Sequence, residues 1–267
     1  MFAAFFYLLR QRGLHVSLNE WMTLLEGMEK GLHHSTLTGF YHLCRAIVVK
    51  NETEFDHFDQ IFLEFFKKKY IWIYFAFILF YRFAEGLVIK IVPLFLNAPL
   101  DQQGMGLTEQ QIGLYYGTFG VIAFVVGSIL GGYFISWLKL RRALFPLVCI
   151  FNVPFVVYAL LAWLQPQSMW IVGGGIVLEY FGYGFGFVGL TLFMMQQVAP
   201  GRHQMAHYAF ASGIMNLSVM LTGAVSGYLS DALGYGMFFL AVMLATVPAF
   251  LVTWFVPFTY DDKPNDK

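Results

Sequence analysis

The sequence predicts an all-α membrane protein: six transmembrane helices behind a small helical leader. Three observations carry this. Of the 267 residues, 58% are hydrophobic and 12% charged, about half the charged share of an ordinary soluble domain. From Tyr70 onward six apolar segments follow one another, each long enough for a hydrocarbon core about 30 Å thick. Basic residues gather at every second connection between those segments. Sixteen Lys and Arg balance sixteen Asp and Glu, so no basic surplus points to nucleic acid. The two cysteines, Cys44 and Cys149, lie in different segments and form neither a disulfide framework nor a zinc motif.

The chain changes character near residue 66. Residues 1–66 carry five basic and eight acidic side chains, whereas the far longer remainder carries eleven basic and eight acidic. The leader reads as short amphipathic helices. Residues 17–20 form a capping box, in which the Ser17 hydroxyl accepts from the third helical N–H and Glu20 reaches back. Trp21, Leu24, Leu25 and Met28 then recur at helical spacing, and Gly31 stops the helix. A second box at 51–54 opens a helix with Phe55, Phe58, Ile61, Phe62 and Phe65 on one side, and 37–49 supplies another apolar segment. None of these runs is long enough to cross a bilayer. The start does not read as a signal peptide, because residues 2–9 have their charges behind them and no cleavage-like site.

The leader also carries a resemblance. Phe5-Phe6-Tyr7-Leu8-Leu9-Arg10, Val16-Ser17-Leu18-Asn19-Glu20-Trp21, Gly39-Phe40-Tyr41-His42-Leu43-Cys44-Arg45 and Phe55-Asp56-His57-Phe58-Asp59 resemble the N-terminal helical region of CoxE-like von Willebrand A proteins. That family continues into a metal-binding Asp-x-Ser-x-Ser domain and is associated with MoxR-type ATPases. No Asp-x-Ser-x-Ser occurs in this sequence, so no metal site is carried over.

The six apolar segments are residues 70–96, 111–137, 143–164, 170–198, 206–229 and 235–257. Lys67, Lys68 and Lys69 precede the first, Lys139, Arg141 and Arg142 follow the second, Arg202 follows the fourth, and Lys263 and Lys267 close the tail. The alternate connections, 97–110, 165–169 and 230–234, hold no Lys or Arg. By the positive-inside rule both termini face the cytoplasm of a cell with an inner membrane, and the leader is cytoplasmic with them. The expected organisation is a leader over 1–66, a six-span domain over 67–260 and a polar cytoplasmic tail over 261–267.

The second and fifth segments end alike. Gly127-Ser128-Ile129-Leu130-Gly131-Gly132-Tyr133-Phe134-Ile135-Ser136 and Gly223-Ala224-Val225-Ser226-Gly227-Tyr228-Leu229-Ser230 both carry Gly-x-x-x-Gly, then Tyr and Ser. These segments run in opposite directions, which reads as two inverted three-helix repeats, the construction of each half of a major-facilitator fold. The plain alternative is that Gly-x-x-x-Gly merely packs helices.

A second resemblance spans about residues 65 to 257. Tyr81-Arg82-Phe83-Ala84-Glu85, Gly106-Leu107-Thr108-Glu109-Gln110-Gln111-Ile112-Gly113, Tyr116-Gly117-Thr118-Phe119-Gly120-Val121-Ile122-Ala123, Phe181-Gly182-Tyr183-Gly184-Phe185-Gly186-Phe187 and His207-Tyr208-Ala209 resemble the second half of AmpG-like major-facilitator permeases. The resemblance implies import of muropeptides, cell-wall sugar-peptide fragments, by proton symport. In that family six more spans stand before this half. Transport therefore calls for a second six-helix bundle, from a homodimer, a separately encoded first half or a longer native gene.

Five residues are candidates for substrate or proton translocation: Arg82, Glu85, Lys90, Glu179 and His207. Residues 71–96 contain sixteen Leu, Ile, Val or Phe, worth about −7 kcal/mol on the insertion scale. Arg82, Glu85 and Lys90 cost about 3 kcal/mol each and nearly cancel that gain. At 100° per residue they share with Gly86 an arc of about 140°, which should face the bundle interior or an aqueous cavity. The plain alternative is a structural ion pair between Arg82 and Glu85, three residues apart. Glu179 lies on one helical face with Gly175, Gly182, Gly186 and Gly189. Such a carboxylate can exchange a proton as its helix moves, because burial disfavours charge; alternatively the glycines serve packing and Glu179 bonds a neighbouring helix. His203 and His207 stand four apart but offer two metal ligands at best, so a proton relay or an interface contact at His207 is the better reading. Asn152, Gln196, Gln197 and Asn216 are further polar residues in or near spans.

No catalytic triad, nucleotide loop, cofactor motif or metal motif stands out, so the sequence reads as a transporter half and not an enzyme. A different class keeps the six spans as an anchor whose leader recruits a partner such as a MoxR-type ATPase. A third reading makes the chain a non-functional fusion or a truncated transporter.

Overall fold

The computed structural model describes residues 66–201 and 204–259, with isolated positions between 23 and 47. The expected leader helices, Cys44, Arg202, His203, Lys263 and Lys267 lie outside the described residues. Among the described residues the fold is all-helical, without a strand. That is what an apolar chain must do in lipid, where each backbone donor and acceptor needs a partner within the segment.

Helices α1 (Ile71–Tyr81) and α2 (Phe83–Asn97) run on from each other across a break at Arg82, whose φ of −104° and ψ of 8° leave the helix. The break is one residue long, and Gly86 N still donates to Arg82 O at 3.0 Å. Together the two helices are about 40 Å long at 1.5 Å per residue. The connection after them is a compact turn with Gln103 and Gly106 at φ of 61° and 62°. Helix α3 (Glu109–Ile112) starts at a capping box: Gln111 N donates to Thr108 Oγ1 at 3.3 Å and Thr108 N to Gln111 Oε1 at 2.9 Å. A π-helical turn, Gly113–Phe119, carries the chain into α4 (Gly120–Leu138).

Lys139 alone separates α4 from α5 (Leu140–Asn152), with φ 64° and ψ 149°. This tight reversal lets the third segment begin at Leu140, ahead of the expected 143. A 3-10 turn at Val153–Phe155 leads to α6 (Val156–Leu164), and Gln165 at φ 40° ends it. Helix α7 (Met169–Phe193) runs on as a π turn, Met194–Val198. Helix α8 (Gln204–Ala245) leaves helical geometry at Gly234, with φ 71° and ψ 161°, and α9 (Val247–Phe255) follows.

Four stretches are long and apolar enough to cross a membrane: Glu109–Leu138, Leu140–Leu164, Met169–Val198 and Gln204–Phe255. The last has 52 residues, about 78 Å of helix. That is more than twice the hydrocarbon thickness, and the non-helical Gly234 divides it into two legs. Ile71–Asn97 is not among the four, being interrupted at Arg82 and charged at Glu85 and Lys90.

Two compact units divide the chain: Met1–Ile71 with Ala199–Gly213, and Trp72–Val198 with Ile214–Lys267. In the first, Lys68 Nζ donates to Pro200 O at 2.5 Å. In the second, the core gathers Val88, Ile91, Val92 and Phe95 of α2, Tyr158 of α6, Ile176 of α7, and Phe238, Phe239 and Val242 beyond Gly234. Trp137, Trp163, Trp170 and Trp254 are exposed at helix ends, where indole rings sit at a membrane–water boundary.

Glycines set the closest helix approach. A Cβ on Gly127 or Gly131 of α4 would strike the carbonyl oxygen of Phe181 or Phe185, and one on Gly184 of α7 would strike that of Phe124. Ser128 Oγ donates to Gly184 O at 3.2 Å across the same seam. The matching stretch of α8 packs differently. A Cβ on Gly223 would stand 3.4 Å from Lys90 Cγ, and one on Gly227 would meet nothing within 4 Å. Of the two similar stretches, then, the one on α4 joins backbones tightly and the one on α8 does not.

Candidate functional site

The site begins at the break before α2. Arg82 caps that helix and Glu85 lies in its first turn, where the free N–H groups favour a negative charge. Arg82 folds over its own helix start: Nε donates to Glu85 Oε2 and Nη2 to Glu85 Oε1, both at 2.5 Å. This is a two-pronged ion pair between buried side chains, so the plain alternative from the spacing is present in the structure. Nη2 also lies 3.4 Å from Tyr183 Oη, and the guanidinium carbon stands 5.2 Å from the centre of the Phe187 ring. Both residues belong to α7. Gly86, next to the pair, is where α8 presses in: a Cβ would run into Thr222 Oγ1 and come within 2.8 Å of Val219 Cα. Ser218 Oγ donates to Leu79 O at 2.6 Å beside it.

Glu179 is buried on α7, and Tyr158 Oη of α6 donates to its Oε2 at 2.8 Å. Tyr158 is held by stacking on Phe239, with ring centres 5.6 Å apart. The glycine face around Glu179 does what the plain alternative expects. Gly182 and Gly186 approach Ile150 O and Leu147 O of α5 so closely that a Cβ would lie 2.5 Å and 2.7 Å away. Removing side chains there lets α7 settle on α5 and α6, which brings Tyr158 within reach of the carboxylate.

Glu85 and Glu179 line one cavity of about 30 Å3, with Tyr116, Tyr158, Tyr180 and Tyr183 around them. The Tyr116 ring meets Tyr180 edge-on at 4.9 Å. The space suits water rather than a sugar-peptide. Two carboxyl groups and four phenols thus share a small, partly open pocket, and one guanidinium stands behind Glu85.

The five candidates are not all together. Glu85 and Glu179 line this cavity, and Arg82 is joined to it only through its ion pair with Glu85. Lys90 is exposed, its stem lying along Gly223 of α8. It is turned about 140° from Glu85 on the helix, and its long side chain lets the ammonium reach away from apolar surface. His207 is fully buried in the other compact unit. Asn152, Gln196, Gln197 and Asn216 do not line the cavity. Asn152 Nδ2 donates to Val148 O at 3.1 Å, and Gln197 Oε1 accepts from Thr259 N at 2.8 Å. Sequence reasoning missed the four tyrosines. Tyr180 and Tyr183 follow Glu179 by one and four positions, a legible helical neighbourhood, whereas nothing local marks Tyr116 or Tyr158. Among the described residues no three His, Cys, Asp or Glu are grouped to hold a metal ion.

Residues 2–69 match the CoxE N-terminal helical bundle domain, as the leader's motifs anticipate. The chain is also similar to transporters. It is 25% identical over 206 residues to AmpG 2 of Rickettsia bellii, a transporter by its name, with 76% of this chain and 48% of that protein covered. Against AmpG 2 of Rickettsia typhi it is 26% identical over 217 residues, covering 77% and 48%. Against the anhydromuropeptide permease of Escherichia coli K12 it is 23% identical over 189 residues, covering 71% and 37%. The chain spans about half the length of the curated relatives it matches. Those relatives are named as transporters and a permease, not as enzymes.

Proposed function

We propose that residues 67–260 form a six-span half of a major-facilitator secondary transporter that carries muropeptide-type, sugar-peptide solutes together with protons. The observation that carries this reading is the shared cavity of Glu85 and Glu179, with Arg82 paired behind it, inside helices otherwise built for lipid. Ionisable groups buried at membrane depth are costly and mark solute or proton paths. Counting Ile71–Asn97 as one crossing, and the two legs about Gly234 as two, supports six crossings arranged as inverted three-helix repeats. The exposed tryptophans at helix ends and the nine basic residues on alternate connections support an inner-membrane orientation with both termini cytoplasmic. The similarity to AmpG transporters and to a permease for anhydromuropeptides supports the solute class. In this reading Lys90 and His207 belong to the path as well, and a second six-helix bundle completes it. The test is uptake of labelled anhydromuropeptide into vesicles containing the full chain. Uptake abolished by an uncoupler and weakened by Glu85→Gln or Glu179→Gln is expected; uptake equal to empty vesicles, with the protein folded, refutes it.

The match of residues 2–69 to a CoxE-type helical bundle supports a second reading. There the spans anchor a cytoplasmic leader that recruits a partner, with a MoxR-type ATPase the first to test. Co-purification of such an ATPase with the full chain, lost when residues 1–66 are deleted, is the expected result. Equal recovery with and without the leader counts against it.

A further inference from the structure

We infer that the turn between α4 and α5 holds one anionic phospholipid, with its phosphate on Arg141 and Arg142 and an acyl chain against an aromatic cleft between α5 and α9. The inference needs only that these helices cross a bilayer, and it stands apart from the solute path. Three observations carry it. The first is charge. Lys139, Arg141 and Arg142 are exposed, and among the described residues none of them makes an ion pair. The first turn of α5 holds no acidic residue. The described carboxyl groups of this compact unit lie elsewhere. Asp101, Glu109 and Asp231 are in or beside the connections that lack basic residues, and Glu85 and Glu179 are buried within the helices.

The second observation is helical register. Phe145 follows Arg142 by three residues and Arg141 by four, so the three share an arc of about 100° with the ring one turn deeper. Helical side chains lean toward the N-terminus. That carries both arginines toward the headgroups and leaves Phe145 at the edge of the hydrocarbon. The third is the cleft itself. The Phe145 ring meets Trp254 of α9 edge-on at 5.3 Å and lies 6.5 Å from Phe250. Phe145 and Trp254 remain 37% and 69% exposed, so these rings form a wall open to lipid and not a sealed core.

Cations above and aromatic rings below select one class of ligand. Guanidinium groups match phosphate oxygens, and basic pockets between membrane helices take anionic headgroups. A free phosphate would use the cations and leave the cleft empty. A zwitterionic lipid would use the cleft but bring its own cation against the arginines. Three cations beside one cleft are best matched by a headgroup with two phosphates, as in cardiolipin. The rival occupant is the chain's own tail, since Asp261, Asp262 and Asp266 follow α9. Thr259, the last described residue before that tail, is tied to Gln197 and Tyr74 and not to the α4–α5 turn.

The experiment is native mass spectrometry of the purified full chain, released from neutral micelles that contain cardiolipin or phosphatidylcholine. The expected result is one cardiolipin retained per chain, preferred over phosphatidylcholine by at least about tenfold. Arg141→Gln/Arg142→Gln should weaken that retention by about tenfold or more, and Trp254→Ala by about threefold. Lys67→Gln/Lys69→Gln removes the same charge from exposed positions of the other compact unit and should leave retention within about twofold, the reading expected away from the site. Equal loss in the two basic variants makes the effect one of net charge and overturns the site, as does cardiolipin retention that survives Arg141→Gln/Arg142→Gln. Equal retention of phosphatidylcholine also overturns it, and so does displacement of the lipid by inorganic phosphate at the same concentration. Cardiolipin binding that appears only after residues 261–267 are deleted makes the acidic tail the occupant and overturns the lipid.

Discussion

Gly131 and Gly132 are neighbours on α4, yet the same substitution should act on them in opposite directions. A Cβ on Gly131 falls on the carbonyl oxygen of Phe185 and lies 3.1 Å from both its carbonyl carbon and its Cα. Carbon–carbon contacts settle at about 3.5–4.0 Å, so α4 and α7 must part by about 0.4 Å or more. That shift also loosens the approaches at Gly127 and Gly184 and the 3.2 Å bond from Ser128 to Gly184. Overpacking of this kind costs about 1–3 kcal/mol. Gly132→Ala places its Cβ in open space, and replacing a helical glycine gains about 0.5–1 kcal/mol from reduced backbone freedom. The assay is equilibrium unfolding of the full chain in mixed micelles, with Gly131→Ala less stable than the parent and Gly132→Ala no less stable. The packing argument fails if the two variants agree within about 0.5 kcal/mol, the scatter of ordinary surface changes.

Three further outcomes follow from the site and its surroundings. Arg82→Met strands the buried Glu85 charge and should cost about 3–5 kcal/mol, most of it recovered in Arg82→Met/Glu85→Met; equal losses in the single and double variants would show that the pair does not matter. Tyr158→Phe keeps the ring on Phe239 but removes the donor to Glu179 Oε2, at about 1–3 kcal/mol, a cost that should shrink when Glu179 is already Leu. An unchanged cost in the two backgrounds would argue against that hydrogen bond. Gln165→Ala removes the bonds from Nε2 to Leu100 O at 2.9 Å and Gly104 O at 3.2 Å. Amide exchange at 103–107 should quicken while exchange in α7 stays as it was; no local change would mean that the turn holds itself.

Much of this was legible in residue spacing. The three-residue step from Arg82 to Glu85 implied an ion pair, and the glycines in register with Glu179 implied close packing, because both lie within one helix and follow from its pitch. Lys90 shows the limit of that reasoning. An arc of about 140° is wide enough to straddle the boundary of a buried face, and the neighbouring helix that fixes the boundary is remote in sequence. The interruption at Arg82 was equally hard to see, since hydropathy continues across it, whereas the break at Gly234 falls within the connection expected at 230–234. Tyr116 and Tyr158 reach Glu85 and Glu179 from other helices, so no periodicity within either segment marks them. The early start of α5 depends on Lys139 adopting a positive φ, a conformation no pattern of lysines announces.

The turn after α2 has a mechanical consequence. Besides the Gln165 bonds, Gln103 Oε1 accepts from Gly236 N at 3.4 Å, and Leu107 N donates back to Leu96 O at 2.8 Å. The connections 97–110 and 165–169 and the start of the leg after Gly234 are therefore buttoned together. Prising a single helix outward at that end would tear several of these bonds, while swinging the whole end as a slab tears none. Cargo inserted between 98 and 104, such as an epitope tag, would land in the buttonhole itself.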